Sequence, residues 1–220
     1  MFSPDGALSR ILSTIFDVLM IGILWLVTSL PLITIVPASI SAYHTMAKVV
    51  RYKSGYIREE FFAEFKANFK RTLPLALVNL VLVALFVLEL VYLWSLDAKK
   101  YGPMFMIVLG IAFLYACVIM YIPAFLSRFD EKVWDVIKLS AYVAFRYLPI
   151  TVGMIIVLIG MCLVVWIAPW ACVVVPGVYA YLVTYPMEKI LKDYSEDDDE
   201  GWWEDSSDVR SRNDSADQIK

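Results

Sequence analysis

Apolar runs of about 20 residues recur along this chain, and they limit what it can fold into. Inside a bilayer every backbone amide and carbonyl needs a partner within its own segment, so such runs form helices. Hydrophobic residues make up 60% of the 220, against about 45–50% in soluble domains. The expected fold class is therefore an all-α membrane protein with about five transmembrane helices. The predicted spans are 10–31, 74–96, 104–126, 149–168 and 171–187. The last is interrupted by Pro176-Gly177, and a second arrangement stays open for 149–187: one span followed by a re-entrant piece.

The stretch from Trp25 to Pro37 closes the first span with Pro31 and Pro37. Proline cannot donate a backbone hydrogen bond and disfavours helix in the residue before it. The hydroxyls of Thr28, Ser29 and Thr34 are the nearest groups able to compensate the helix end. A cleaved signal peptide is not expected, because the apolar run is too long and the residues after it are basic.

Between the spans lie two segments that alternate apolar and basic residues at helical spacing. In 37–73, one piece (38–52) puts Ile40, Tyr43, Ala47 and Val50 on one face, and a second (56–71) puts Ile57, Phe61, Phe65 and Phe69 on another. Lys48, Arg51, Arg58, Lys66, Lys70 and Arg71 supply candidate membrane-surface contacts. Pro74 is read as the start of the second span. The other amphipathic segment, 127–148, groups Val133, Ile137, Ala141 and Phe145, with Arg128, Lys132, Lys138 and Arg146 as its cations. Two readings stay open for both: helices lying in the headgroup plane, or connectors docked on the bundle. The two segments open and close alike, with Pro37-Ala38 and Pro123-Ala124 first and Leu73-Pro74 and Leu148-Pro149 last.

With five spans, the segments 37–73, 127–148 and 187–193 fall on one side and hold most of the Lys and Arg. The other side has Arg10, Lys99 and Lys100. The positive-inside rule then predicts the N-terminus outside and the C-terminus inside. Residues 1–194 form the membrane domain. Residues 195–220 change character, with Glu196, Asp197, Asp198, Asp199 and Glu200 followed by Trp202 and Trp203. Such a segment is expected to be a disordered acidic cytoplasmic tail, either merely solvated or a docking peptide anchored by the tryptophan pair.

Neither a nucleophile elbow, a zinc-protease helix motif nor a phosphate-binding loop is present. Cys117, Cys162 and Cys172 sit in apolar runs and suggest neither a disulfide framework nor a metal site. His44 is the single histidine, expected to pack at the interface. The expectation is thus a protein that is not an enzyme and carries no catalytic residue, metal or cofactor. The acids inside spans are Asp17 and Glu89, and with Asn79 they make a candidate intramembrane polar site. Asp17 and Glu89 read either as a cation-linked pair lining a cavity or as hydrated acids near the outer interface, with Asp17 balanced by Arg10. Asn79 is suited to an interhelical hydrogen bond.

The N-terminal half carries Leu24-Trp25, Ser29-Leu30-Pro31, Thr34, Pro37-Ala38, Ala42-Tyr43, Gly55-Tyr56, Phe61 and Phe65-Lys66-x-Asn68-Phe69-Lys70. This pattern resembles the YesL-like family of bacterial integral membrane proteins of unknown function. Tyr121-Ile122-Pro123, Arg128-Phe129 and Arg146-Tyr147-Leu148-Pro149 extend the match more loosely, over about 8–194 in all. Members are often encoded beside carbohydrate-uptake systems and glycan-degrading enzymes. The resemblance implies a multi-pass protein of the bacterial plasma membrane, an accessory to carbohydrate uptake. Expected partners are the lipid bilayer, a sugar ABC-type permease or a membrane sensor, and another copy of the chain, with no nucleic acid. A small oligomeric transporter or channel is the other expectation.

Overall fold

The computed structural model describes residues 7–51, 55–95, 98–129 and 132–192, and every described element is helical. Helix α1 spans Ala7–Ser29, and a 3₁₀ turn over Leu32–Thr34 leads into α2, Ile35–Thr45. The chain then widens into a π-helical turn, Met46–Arg51. Helix α3 runs over Ile57–Trp94, α4 over Ala98–Ile119, α5 over Ile122–Arg128 and α6 over Val133–Arg146. Helix α7 covers Leu148–Ile167, a 3₁₀ turn covers Pro169–Val173, and α8 covers Val175–Lys192.

Four stretches are long and apolar enough to cross a membrane: Leu12–Ser29 in α1, α3, Tyr101–Arg128 through α4 and α5, and α7. Their outward faces carry large exposed apolar side chains such as Val81, Leu88, Ile107, Ile111, Ile156 and Leu163. On a soluble monomer that much exposed apolar surface would be anomalous; in a bilayer it is the lipid-facing surface.

The end of α1 is compensated by hydroxyls. Thr28 donates to the Leu24 carbonyl at 2.7 Å, Ser29 to Leu26 at 3.1 Å, and Thr34 to the carbonyls of Thr28 and Pro31. Trp25 Nε1 donates to Ser39 Oγ at 3.1 Å, tying α1 to α2.

Of the two readings open for the first amphipathic segment, α2 takes the second, a connector docked on the bundle. It packs against α1, α3, α5 and α8 and is buried almost throughout, including Val36, Ala38, Ile40, Ser41, Ala42 and Tyr43. The burial continues through Met46, Ala47, Lys48, Val49 and Val50. The cause is the small side chains on its other faces. Ala38, Ser41 and Ala42 let neighbouring backbones approach from several sides, so no face is left for headgroups.

Helix α3 is one continuous element of 38 residues, with Pro74 inside it and not at its start. Proline frees the carbonyl four residues back. That is Lys70, at the level where the charged half of α3 meets its apolar half. Pro149, in the corresponding place of the second segment, does lie at a helix start, in the first turn of α7.

The 127–148 segment divides into α5 and α6. The buried face of α6 is Val136, Ser140, Val143 and Ala144, whereas Phe145 is exposed. The docked stripe is therefore displaced around the helix from the expected one. In α3 the phenylalanine row holds: Phe61 is fully buried, Phe61 and Phe65 stack at 6.5 Å, and Phe65 and Phe69 lie 5.6 Å apart.

Pro176-Gly177 occupies the first turn of α8 and does not interrupt it. Gly177 meets Gly22 of α1 backbone to backbone. A Cβ on Gly177 would run into the Val18 carbonyl, and one on Gly22 would come within 2.6 Å of the Val173 carbonyl. Gly153 and Gly160 in α7 have open space instead. Gly177→Ala is therefore expected to cost about 1–3 kcal/mol by overpacking, and Gly22→Ala a similar amount. Gly153→Ala and Gly160→Ala should not show this loss. Thermal unfolding in one detergent would separate the two pairs.

Candidate functional site

The most organised polar region lies where α2, α3, α5 and α8 meet, and it is built from two spacings of four. His44 and Lys48 are four apart across the α2–π junction, and Glu60, Glu64 and Asn68 are four apart on α3. Residues four apart share a helix face, so a basic row meets an acidic row. Lys48 Nζ lies 2.9 Å from Glu60 Oε1, His44 Nε2 lies 3.7 Å from Glu60 Oε2, and His44 Nδ1 lies 4.0 Å from Glu64 Oε2. Asn68 donates to Glu64 Oε1 at 2.7 Å, and His44 Nδ1 is 3.4 Å from the Ser127 carbonyl of α5.

A second centre is deeper. Glu188 of α8 is fully buried, and Tyr43 donates its hydroxyl to Oε1 at 2.9 Å. The Arg128 guanidinium of α5, itself 3% exposed, sits 3.3 Å from Oε2. Arg71 of α3 donates to the carbonyl of Phe129 at 3.3 Å. Each contact joins two elements, so the network fixes the relative positions of all four helices.

The two α3 acids respond oppositely. Both lie in the charged part of α3, before the apolar stretch that follows Pro74. The nearby His44 imidazole, reinforced by Lys48, holds the Glu60 carboxyl down from 4.5 to about 2 against the opposing effect of burial. Burial pushes the Glu64 carboxyl up.

The three residues of the expected intramembrane site lie on α1 and α3. Asn79 accepts a hydrogen bond from Tyr115 of α4. Among the described residues no hydrogen bond or ion pair links Asp17, Glu89 and Asn79 to one another. Asp17 is partly buried on α1 and Glu89 exposed on α3. A cavity of about 460 Å³ opens between α1 and α8, lined by Thr14, Ile15, Val18, Leu19, Val174, Val178 and Tyr181, and it is overwhelmingly apolar. No cluster of metal-ligating side chains occurs among the described residues.

Of the expected surface cations, Lys48 must be corrected. It is 6% exposed and its ammonium is committed to Glu60, leaving it no access to lipid headgroups. Arg71 is partly buried against α5, whereas Arg58, Lys66 and Lys70 are exposed. The Arg51 side chain and the Trp202-Trp203 pair lie outside the described residues. Sequence reasoning missed Glu60, Glu64 and Glu188. The first two left a signal, an acidic i, i+4 pair ahead of Asn68 that matches the spacing of His44 and Lys48.

Residues 18–90 match a family described as a protein of unknown function, DUF624. This stretch contains α2, the π turn and most of α3, and hence the His44–Lys48–Glu60–Glu64 half of the network. No curated protein and no solved structure matches the chain.

Glu188→Gln strips Arg128 of a buried counter-charge and is expected to cost about 3–5 kcal/mol, whereas the double replacement Arg128→Met/Glu188→Met should recover much of it. Unfolding in detergent reads both. A carboxyl with a depressed folded pKa contributes stability above its unfolded value, lost as pH falls through its folded one. Glu60 should therefore contribute fully above about pH 4.5 and lose that contribution toward about pH 2. Glu64, shifted upward, has the opposite sign and favours the fold more when protonated. Glu60→Gln should destabilise at pH 7 and flatten the acid loss, and Glu64→Gln should be the milder change. Unfolding temperatures of the three proteins from pH 7 downward check the order.

Proposed function

We propose that this chain is a non-enzymatic accessory protein of the bacterial plasma membrane, working by helix–helix contact with a carbohydrate permease or sensor. The observation that carries the proposal is where the charge goes. The buried ionic groups hold helices to one another, and the 460 Å³ cavity is lined by apolar side chains. An assembly of this kind offers lipid-facing helix surfaces to a partner, and its cavity between α1 and α8 offers a solute few polar groups. The association with sugar uptake rests on the YesL-like resemblance; YesL belongs to the matched DUF624 family.

In this reading the chain makes five passes, the fifth being the Pro169–Val173 turn with the apolar part of α8. The N-terminus is outside and the C-terminus inside. Support comes from the basic residues gathered around α2, α5 and the start of α3, and from Trp94, Trp166 and Trp170. These tryptophans are exposed near the opposite helix ends, as in an interfacial aromatic belt.

The alternative, a small oligomeric transporter or channel, draws on Asp17 and Glu89. Neither has a hydrogen-bond or ion-pair partner among the described residues, and each is costly within a bilayer unless it meets water or another chain.

Affinity purification from native membranes in mild detergent, with mass spectrometry, tests the choice. Near-stoichiometric recovery of a sugar permease or sensor is the expected outcome. Recovery as a homo-oligomer alone would overturn it in favour of the alternative, in which Asp17→Asn or Glu89→Gln should abolish liposome flux without loss of folded protein.

A further inference from the structure

The glycine contact that joins α1 to α8 leaves a space beside it. Gly22 and Gly177 bring the two backbones together, as small residues do between membrane helices. Away from that contact both helices carry side chains that hold them apart, Val18 and Thr14 on α1, Val178 and Tyr181 on α8, and these residues line the cavity of about 460 Å³. The cavity has an apolar body and a hydroxyl end. Ile15, Val18, Leu19, Val174 and Val178 form the body. Thr14 lies about two turns of α1 from Gly22, and Tyr181 about one turn of α8 from Gly177, so the two hydroxyl-bearing residues are the lining residues farthest from the glycines on each helix. The Tyr181 hydroxyl is 3.5 Å from that of Tyr185, exposed one turn further on.

The hydroxyl end also falls at the edge of the hydrocarbon. Thr14 is the third residue of the apolar stretch Leu12–Ser29, about 3 Å from its start, and Leu19 lies about 10 Å in. Ile15 on the rim is 50% exposed, and Leu12, Phe16 and Leu182 beside it are exposed as well, so the cavity opens onto the wall that α1 turns to lipid. Water does not fill the body, because a buried water needs about two to four polar partners and these side chains offer none. A second copy of the chain is a poor occupant too. From Val174 to Tyr181 the seat is about 10 Å long, which gives a helix about 10 Å across a contact on the order of 100 Å². A stable interface buries about 800 Å² per partner. A lipid chain is apolar along its length, flexible enough to follow the walls, and joined to polar ester groups at the level where Thr14 and the two tyrosines stand.

We infer that the α1–α8 cavity binds one acyl chain of a membrane phospholipid, with the ester region of that lipid against the hydroxyls of Thr14, Tyr181 and Tyr185. The chain completes the packing of two helices whose backbones touch directly at the glycines. No charged side chain lines the cavity, so anionic and zwitterionic phospholipids bind alike. The site stands whichever of the two proposed functions holds.

The test uses the full-length chain in nanodiscs of phosphatidylcholine, with a trace of phosphatidylcholine that is photoactivatable midway along one acyl chain. Mass spectrometry maps the adducts. Adducts per residue are expected to be several-fold more frequent on Ile15, Val18, Leu19 and Val178 than on Ile107, Ile111, Ile156 and Leu163, which are exposed on α4 and α7. Native mass spectrometry in mild detergent should retain one phospholipid per chain. Val178→Trp fills the cavity from inside, and Ile15→Trp fills it from the exposed rim, where folding is least at risk. Each should lower the adducts and the retained lipid several-fold, with thermal unfolding confirming that the variant is folded. Adducts spread evenly over α1, α4, α7 and α8 would overturn the inference, because the cavity would then hold lipid no better than the rest of the wall. So would a folded Ile15→Trp variant that keeps its lipid. Copies of the chain cross-linked to one another through cysteine at position 15, with no lipid adducts in the cavity, would make a second copy the occupant and overturn it as well.

Discussion

Everything at the charged end of this bundle depends on the buried ionic contacts gathered around α2 and the π turn that follows it. A charge removed from water is tolerated only when a partner of opposite sign is held at good geometry. Lys48 has Glu60, and Arg128 has Glu188 with Tyr43 on the second carboxylate oxygen. These requirements are stricter than apolar packing, because a slip by one residue would strand a charge. Lipid tails are as apolar as leucine, so the hydrophobic effect gives membrane helices little reason to prefer one register. The ionic network supplies the register that oil-like side chains cannot.

The network also explains the composition of α2. A helix able to contact four others must be slim, and Ala38, Ser41 and Ala42 make it so. It must also carry polar groups on more than one side, which Tyr43, His44 and Lys48 provide toward α8, α5 and α3. The widened turn over Met46–Arg51 coincides with unbroken burial from Thr45 to Val50. Further along α1, at Gly22 against Gly177, the same need for proximity is met by having no side chain at all. Helix α1 is thus held to α2 by the Trp25–Ser39 bond and to α8 by backbone contact.

The helical class and four of the apolar stretches were legible because length and hydropathy act locally. The hydroxyl-compensated end of α1 was legible for the same reason, since Thr28, Ser29 and Thr34 reach carbonyls no more than six residues away. What escaped is non-local. A lysine in an amphipathic segment looks alike whether it meets a headgroup or a carboxylate from another helix, and Lys48 meets Glu60. Glu188 carries no local signal of its role, because its partners lie on α2 and α5. Pro74 was read by the commonest role of proline near a polar–apolar boundary. A helix can instead pass through, as α3 does.

The contrast between the two sets of acids bears most on function. Glu60 and Glu188 have partners on other helices, and Glu64 has Asn68 on its own helix with His44 of α2 at 4.0 Å. Asp17 and Glu89 have no such ties among the described residues, although they sit in helices apolar enough to cross a membrane. A carboxylate that stabilised the monomer would be expected to have a partner in it. A carboxylate within a span costs a few kcal/mol on insertion scales, and interfacial water, a cation, a neighbouring protein or, for Asp17, a basic side chain such as Arg10 can each offset it.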